Sequence, residues 1–147
     1  MTELKTKVIL RELVAGKTVL TLSPEMTISA AAQAMQQAKK GAALIVDGKK
    51  LCGIFTERDL VNRVVAVGLP PQETPLKQVM TTNLVVIHPD DSHWTAISVM
   101  VTHQIRHLPV VEGDQVLGIV SRRQLMALDN AIMEADIERR EASRLFL

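Results

Sequence analysis

The chain has 147 residues, of which 47% are hydrophobic and 22% charged, the balance of a soluble globular protein about the size of one ordinary domain. Its formal net charge is +1 and only 2% of its residues are aromatic, so nucleic-acid binding through a basic surface or base-stacking rings is not expected. The single cysteine excludes an internal disulfide, and no segment resembles a signal peptide or a membrane span, so we expect a cytoplasmic protein without a membrane partner.

An internal repeat decides how the predicted elements are grouped. When the sequence is shifted against itself by 65 residues, residues 24–60 align with residues 89–125 without a gap. The identical pairs are Pro24/Pro89, Ala31/Ala96, Met35/Met100, Gly48/Gly113, Gly53/Gly118, Ile54/Ile119, Arg58/Arg123 and Leu60/Leu125. Because the glycines, the proline and the apolar pattern share one register, we interpret the segments as two copies of one unit.

In chain order, a predicted lead-in helix over residues 4–15 precedes the first copy. Each copy opens with a short strand, at residues 19–22 or 84–87, followed by a helix that Thr27 or Ser92 can cap. The apolar residues of this helix recur at helical spacing, which predicts its buried face. They are Ile28, Ala31, Ala32, Met35 and Ala38 in the first copy, and Trp94, Ile97, Met100 and Val101 in the second.

The second half of each copy is a predicted hairpin followed by another helix. Its strands and turn are residues 42–46, Asp47-Gly48 and residues 51–55 in the first copy, and residues 108–111, Glu112-Gly113 and residues 116–120 in the second. The next helix begins at Glu57 or Arg122, and residues 68–75 form a proline-rich linker between the copies. The order β-α-β-β-α, twice, predicts a mixed α/β (α+β) fold.

A long charged helix over residues 122–143 ends the chain. Its apolar residues at spacings of three and four are Leu125, Leu128, Ile132 and Ala135. Such a stripe predicts either domain core or the seam of a dimer.

The two copies resemble a tandem pair of CBS domains, also called a Bateman module. The resemblance rests on the order of elements, on a glycine-hydrophobic-hydrophobic-Thr/Ser-x-x-Asp pattern, and on residues 53–68 and 105–121, which are typical of small stand-alone bacterial proteins of this family. It implies one repeat at residues 8–68, a second at 76–130 and a helical extension at 131–147. It also implies that the repeats pack about a pseudo-twofold axis as one module, with clefts at the junction.

The resemblance implies a regulatory function in signal transduction. Such modules bind AMP, ADP, ATP, NAD or S-adenosylmethionine as regulatory ligands and are not enzymes. We expect a homodimer that acts on a protein partner which the sequence does not identify. The alternative is a module that binds no ligand and works by dimerising and docking a partner.

The predicted nucleotide site is centred on Thr56 and Asp59. In the family this aspartate accepts hydrogen bonds from the ribose hydroxyls, and it faces strands of the other repeat. The resemblance therefore implies further site residues, of which Arg106 and His107 would contact phosphate. They are Thr82, Asn83, Arg106 and His107. Arg58 either reaches phosphate or pairs with acidic residues on the helix surface.

The same residues also have a purely structural interpretation. Thr56 and Asp59 are spaced as a capping box, in which each side chain bonds the backbone N–H of the other residue at the start of a helix. Arg106 and His107 can equally be a solvated charge and a strand-edge residue.

The second copy has Gln124 at the position of Asp59. A glutamine side chain has one acceptor oxygen and no charge, so we expect one good nucleotide site and a weaker second cleft. The residues predicted for the weaker cleft are Thr18, Gly41, Ala42, Ser121 and Arg123. No metal site is expected, because the closest histidine pair, His103 and His107, spans a helix end and a strand start.

Overall fold

The structure is a computed structural model that describes residues 7–145. It divides into two compact units. The first unit consists of residues 16–85 and 113–116; the second consists of residues 7–15, 86–112 and 117–145. Each unit contains helices and strands, which confirms the predicted mixed α/β class.

The helices and strands follow the predicted order, with several changes of length and without the strand predicted at residues 84–87. They are α1 (Leu10–Val14), β1 (Thr21–Leu22), α2 (Ile28–Ala38), β2 (Ala42–Asp47), β3 (Lys50–Thr56), α3 (Glu57–Asp59), α4 (His93–His103), β4 (His107–Glu112), β5 (Gln115–Ser121) and α5 (Arg122–Leu145). The lead-in helix is shorter than predicted, and residues 4–6 of that prediction lie outside the described residues.

The first unit is built on a three-stranded sheet in the order β1-β2-β3. β1 pairs with β2 in parallel, and β2 pairs with β3 in antiparallel orientation. The hairpin turn lies at Gly48 and Lys49, one residue later than predicted, and Gly48 adopts a φ of +63° that favours glycine. The core of this unit consists of Leu22, Ile28, Ala31, Met35, Ala43, Ile45, Phe55, Val64, Leu76 and Val79.

The predicted strand at residues 84–87 is wrong. In its place a single parallel bridge joins Ile87 to Val110 of β4. In the first unit the N–H of Leu44 donates to Leu20, but the equivalent residue in the second copy is Pro109, which has no N–H. Because proline removes a donor from the ladder, the pairing does not extend beyond this bridge.

Helices α2 and α4 begin and end in the same way. The Thr27 hydroxyl accepts from the N–H of Ala30, and the Ser92 hydroxyl accepts from the N–H of Thr95, so both predicted caps are confirmed. At the other end, Lys39 and Gln104 adopt the left-handed conformation with φ of 55° and 54°. The two copies therefore share both helix boundaries, although the residues at the C-terminal boundary differ.

The buried face of α4 differs from the predicted one. Trp94 and Val101 are 45% and 56% exposed, whereas the buried residues are His93, Ala96 and Met100. The predicted buried face consisted of apolar residues at helical spacing and did not include His93. The structure gives hydrogen-bond partners to both of its ring nitrogens, which allows a polar ring to be buried.

The proline-rich linker packs back onto the first unit. The carbonyls of Pro71 and Thr74 accept hydrogen bonds from Ser29 and Ile28, two N–H groups at the start of α2 that have no partner within the helix. The Thr74 side chain is buried and donates to the carbonyl of Pro70. The linker is thus part of the cap of α2.

The helix predicted from Glu57 begins there but changes its winding. One α-helical turn, α3, is followed by a π-helical stretch, Leu60–Val65. Val64 of this stretch is completely buried, while Val61 and Val65 are exposed.

The final helix, α5, runs two residues beyond the predicted 122–143. Leu125 is completely buried, Leu128 and Ile132 are half-buried, and Ala135 is exposed, so the predicted stripe faces the core over the first half of the helix. A second apolar set on α5 is exposed. Its members are Met126, Met133 and Ile137.

Candidate functional site

The centre of the candidate site is Asp59 in the first turn after β3. Its Oδ2 accepts the Thr56 N–H at 3.0 Å, and the Thr56 hydroxyl accepts the Asp59 N–H at 3.3 Å. These two bonds are the reciprocal pair of a capping box, so the structural interpretation is confirmed. The box uses one carboxylate oxygen and leaves the other for a different partner.

The second oxygen of Asp59 already accepts a hydroxyl. Thr81 donates from Oγ1 to Oδ1 across 3.3 Å, and Arg63 Nε lies 3.6 Å from the same oxygen. The Asp59 side chain is 12% exposed. A carboxylate has about four lone-pair sites, so two such oxygens can accept further hydroxyl donors beside these partners.

Thr81 reaches Asp59 because its segment crosses β3 closely. Ile54 and Thr81 exchange two backbone hydrogen bonds of 3.0 and 2.9 Å. A Cβ at the neighbouring Gly53 would lie 2.6 Å from Met80 Sδ and 3.2 Å from the Thr81 carbonyl oxygen. Because Gly53 has no side chain, residues 80–81 can pack closely against β3. This close packing explains the glycine at this position of the repeat.

Thr81 and Arg63 were not among the predicted site residues. The only sequence signal for Thr81 was its place beside the predicted Thr82. Arg63 carried no signal, because its role depends on the carbonyls of Val79 and Met80, to which its Nη1 donates across 3.3 and 3.5 Å. Such contacts between distant segments arise only in the folded chain.

The other residues predicted for the first site are divided between the two units. Arg58, Thr82 and Asn83 are exposed and belong to the same unit as Asp59. Arg106 is exposed and His107 is half-buried, and both belong to the second unit. The placement of Arg106 and His107 opposite Asp59 stays a prediction.

The residues of the predicted weaker cleft have local roles within their own units. The Ser121 hydroxyl accepts the N–H of Gln124 at 3.1 Å, which caps the start of α5. The carbonyl of Gly41 accepts the N–H of Glu57, and Ala42 is buried in β2. Thr18 and Arg123 are exposed. A ligand at these residues likewise stays a prediction.

The second unit contains a buried polar cluster around His93, which is 0% exposed. Its Nδ1 accepts the N–H of Val8 at 2.9 Å, and its Nε2 lies 3.2 Å from Asp129 Oδ1. The Trp94 indole also donates to this oxygen, at 3.1 Å. The hydrogen bonds from His93 and, second, from Trp94 lower the pKa of Asp129, because they stabilise its charged form.

A second cluster of ionisable groups lies on the surface around Arg11. Its guanidinium bonds Asp90 Oδ1 at 3.0 Å and Glu112 Oε2 at 2.7 Å. The hydrogen bond from Arg11 lowers the pKa of Glu112, and the bonds to Glu112 and Asp90 raise the pKa of Arg11. His88, Asp90 and Glu112 place possible metal-ligand atoms within 4.8 Å of one another. Since the Arg11 guanidinium already pairs with both carboxylates, the arrangement is that of an ion-pair network.

Within residues 7–145, no helix combines the length and the apolar character that crossing a bilayer requires.

Comparison with known proteins identifies both repeats. The CBS domain family matches this chain twice, at residues 10–66 and 76–130. The CBS domain-containing protein YhcV of Bacillus subtilis is 42% identical over 103 residues, which cover 70% of this chain and 73% of YhcV. CBSCBSPB5 of Arabidopsis thaliana is 35% identical over 124 residues, 84% of this chain but only 23% of that protein.

Solved structures of CBS-domain proteins have the same fold. A protein with CBS domains from Burkholderia ambifaria superposes with a TM-score of 0.77 at 28% identity, covering 81% of this chain and 91% of that one. The CBS domain pair of protein MJ0100, solved in complex with 5′-methylthioadenosine and S-adenosylmethionine, gives a TM-score of 0.75 at 24% identity and covers 85% of this chain and 98% of that one. The two family matches, the relatives and the shared fold agree that the chain belongs to the CBS-domain family and carries two CBS domains.

Proposed function

We propose that this protein is a non-catalytic regulatory module that binds an adenosine nucleotide (AMP, ADP, ATP or NAD) or a related adenosyl compound at Asp59. The observation that supports the proposal most strongly is the burial of this carboxylate together with its hydrogen-bond partners. It is nearly buried, it is held by a cap at one oxygen, and its other oxygen accepts a hydroxyl from Thr81. A group so placed is suited to accept the hydroxyls of a ribose.

The other site residues have defined parts in this proposal. Thr82 and Asn83 follow Thr81 directly and are exposed, so their side chains are accessible to a ligand. Arg58, Arg106 and His107 supply positive charge or hydrogen-bond donors for phosphate. The adenosyl ligands bound by the pair of protein MJ0100 support testing this chemical class first.

The proposal includes one good site rather than two equal ones. Gln124 stands at the position of Asp59 in the second copy, and an amide can accept from a hydroxyl at only one oxygen and carries no charge. Asp59→Ala should therefore abolish binding, while Gln124→Ala should leave the affinity nearly unchanged. Equal losses from the two substitutions would contradict the one-site proposal.

A thermal-melt panel tests the function directly. The pure protein is melted with AMP, ADP, ATP, NAD, S-adenosylmethionine or GTP, after extraction of any nucleotide that co-purifies. A ligand at a hundred times its dissociation constant stabilises the folded state by about 2.7 kcal/mol, which raises the midpoint by several degrees. We expect a shift with an adenosine ligand that is absent with GTP and absent in Asp59→Ala.

Arg106→Ala separates the phosphate contact from the ribose contact. If Arg106 binds phosphate, this variant should bind AMP more weakly and adenosine equally well. If the variant and the wild type bind AMP with equal affinity, Arg106 does not belong to the site.

The signal is proposed to pass through a homodimer in the cytoplasm to a protein partner. Helices α4 and α5 of the second unit carry exposed apolar side chains, which a twofold contact would bury. They are Trp94, Val101, Met126, Met133 and Ile137.

The second candidate function is an interaction module that binds no ligand. It is favoured by the capping box, because the box alone gives Thr56 and Asp59 a structural reason to be present. This candidate expects no shift of the melting midpoint with any ligand in the panel.

A further inference from the structure

Arg63 joins the candidate site to residues 79–81, which open the second repeat in sequence but belong to the same compact unit as Asp59. It lies in the π-helical stretch one turn after Asp59, and its Nε is 3.6 Å from Asp59 Oδ1. Its Nη1 donates to the carbonyls of Val79 and Met80 across 3.3 and 3.5 Å. One guanidinium therefore contacts the carboxylate of the site and two backbone groups of a distant segment.

The same segment makes a second contact with the carboxylate. Thr81, which follows Met80, donates its hydroxyl to the oxygen that Arg63 approaches. The backbone of Thr81 is paired with Ile54 of β3 by two hydrogen bonds. Asp59 Oδ1 is thus the point at which α3 and the segment from residue 79 to residue 81 meet.

We propose that Arg63 is a positioning residue that ties the Asp59 carboxylate to this segment, so that ligand binding at Asp59 and the position of residues 79–81 depend on each other. The part of this inference that concerns the ligand rests on the proposed function. The part that concerns the link between Asp59 and residues 79–81 rests on the contacts alone. A ligand hydroxyl that binds this carboxylate would share it with Thr81 and Arg63, so one group would hold both the ligand and the segment. The site would thereby transmit its occupancy to the chain that continues into the second unit.

The chemistry of arginine fits this role. The guanidinium has five donors in a rigid planar fork, so it can face a carboxylate and carbonyls at once. A lysine at the same position keeps the charge but has a single nitrogen, and it should restore only part of the tie. A methionine has similar length and helix propensity but cannot donate.

The first experiment measures the tie without any ligand. Hydrogen exchange at the amides of Ile54 and Thr81, which pair with each other, is compared in the wild type, Arg63→Met, Arg63→Lys and Thr81→Val. Arg140→Met is the matched control, because Arg140 forms an ion pair with Asp136 at the same i,i+4 spacing on α5, which belongs to the second unit. We expect exchange to be about fivefold faster in Arg63→Met, intermediate in Arg63→Lys, and unchanged in Arg140→Met.

The second experiment titrates the same variants with AMP. Binding should be about fivefold weaker in Arg63→Met, partly restored in Arg63→Lys and unchanged in Arg140→Met. AMP should also change the exchange of Thr81 in the wild type. Because Arg63 is half-exposed, its variants should melt near the wild type; Thr81→Val, which removes the other contact, tests the tie again if Arg63→Met does not fold.

The outcomes separate the two proposals. If hydrogen exchange at the amides of Ile54 and Thr81 is unchanged in both Arg63→Met and Thr81→Val, the proposed link between Asp59 and residues 79–81 is wrong. Faster exchange with unchanged AMP affinity overturns the dependence of the site on Arg63. If AMP does not bind the wild type, the proposed function fails for this nucleotide, while the ligand-free exchange still decides whether Arg63 holds the segment.

Discussion

The imidazole of His93 donates from Nε2 to Asp129 Oδ1 across 3.2 Å, and the ring is completely shielded from solvent. The direction of this bond follows from the other nitrogen, because Nδ1 accepts the N–H of Val8 and so carries no proton. The equivalent residue of the first copy is Ile28, which is also completely buried. The second copy has thus replaced an apolar core contact by a hydrogen-bonded link among three segments of its unit.

Replacing His93 by Phe should raise the pKa of Asp129 towards the ordinary value of an aspartate. The hydrogen bond from His93 is the largest cause of the lowered pKa, and the bond from Trp94 is the second. Trp94→Phe should therefore raise this pKa by less. NMR titration of the Asp129 carboxyl carbon measures this pKa in the wild type, His93→Phe and Trp94→Phe. A larger rise in Trp94→Phe than in His93→Phe would contradict the prediction.

The same carboxylate gives a pH dependence of stability. Because the pKa of Asp129 is lowered in the folded state, ionised Asp129 stabilises the fold above the ordinary aspartate pKa of about 4. That stabilisation is lost as the pH falls through the lowered pKa. Urea unfolding at pH 7, 4 and 3 should show that the wild type and Asp129→Asn differ in free energy of unfolding. This difference should become smaller as the pH falls. A difference that grows on acidification would refute the assignment.

His93→Phe should also destabilise the second unit at neutral pH. The substitution leaves the half-buried N–H of Val8 without its acceptor, which costs about 1–3 kcal/mol. Urea unfolding at pH 7 measures the loss. Thr102→Ala, a substitution at an exposed residue of the same helix, is the control and should stay close to the wild type.

Arg11→Met should raise the pKa of Glu112. The hydrogen bond from Arg11 is the main cause of the lowered pKa, so its removal returns the carboxyl towards the ordinary glutamate value. Since the network is exposed, salt should have a similar but smaller effect in the wild type. The carboxyl titration of Glu112 at low and high salt checks both expectations, and an unchanged pKa in the variant would show that the ion pair does not form in solution.

Alanine at the two repeated glycines should have unequal effects. A Cβ at Gly53 would meet the flexible end of Met80, whereas a Cβ at Gly118 would lie 2.6 Å from Val14 Cβ, which is fixed to the backbone of α1. We expect Gly53→Ala to cost about 1–3 kcal/mol and Gly118→Ala to cost more. Urea unfolding of both variants tests the order. Met80→Ala should recover part of the loss in Gly53→Ala but none in Gly118→Ala.

The double substitution Met133→Glu, Ile137→Glu should convert the proposed homodimer into a monomer. Both side chains are more than half exposed on α5, so the change adds charge to the surface without opening the core. Light scattering after size-exclusion chromatography gives the mass of each protein. Glu134→Gln with Glu138→Gln changes charge on the same helix and should leave the mass unchanged. If the wild type and the double variant have the same mass, Met133 and Ile137 do not form the dimer contact.

The local elements of this fold could be predicted from the sequence because they depend on neighbours along the chain. The caps at Thr27 and Ser92, the two hairpins and the start of α5 follow from residue type and spacing, and the repeat assigned them to two equivalent units. The strand at residues 84–87 was predicted wrongly because pairing depends on the partner strand, where Pro109 lacks the donor that Leu44 supplies in the first copy.

The sequence by itself determined the family, the order of elements and the choice of Asp59 as the centre of the candidate site, since these depend on a duplicated pattern and on one short motif. Only the tertiary structure decided that Thr81 and Arg63 contact this carboxylate and that His93, rather than Trp94, is buried in α4. The physical reason is the same in each case. A polar side chain can be buried, or can act on a site, when the fold brings it a partner from a distant segment, and the local pattern of residues does not record that partner.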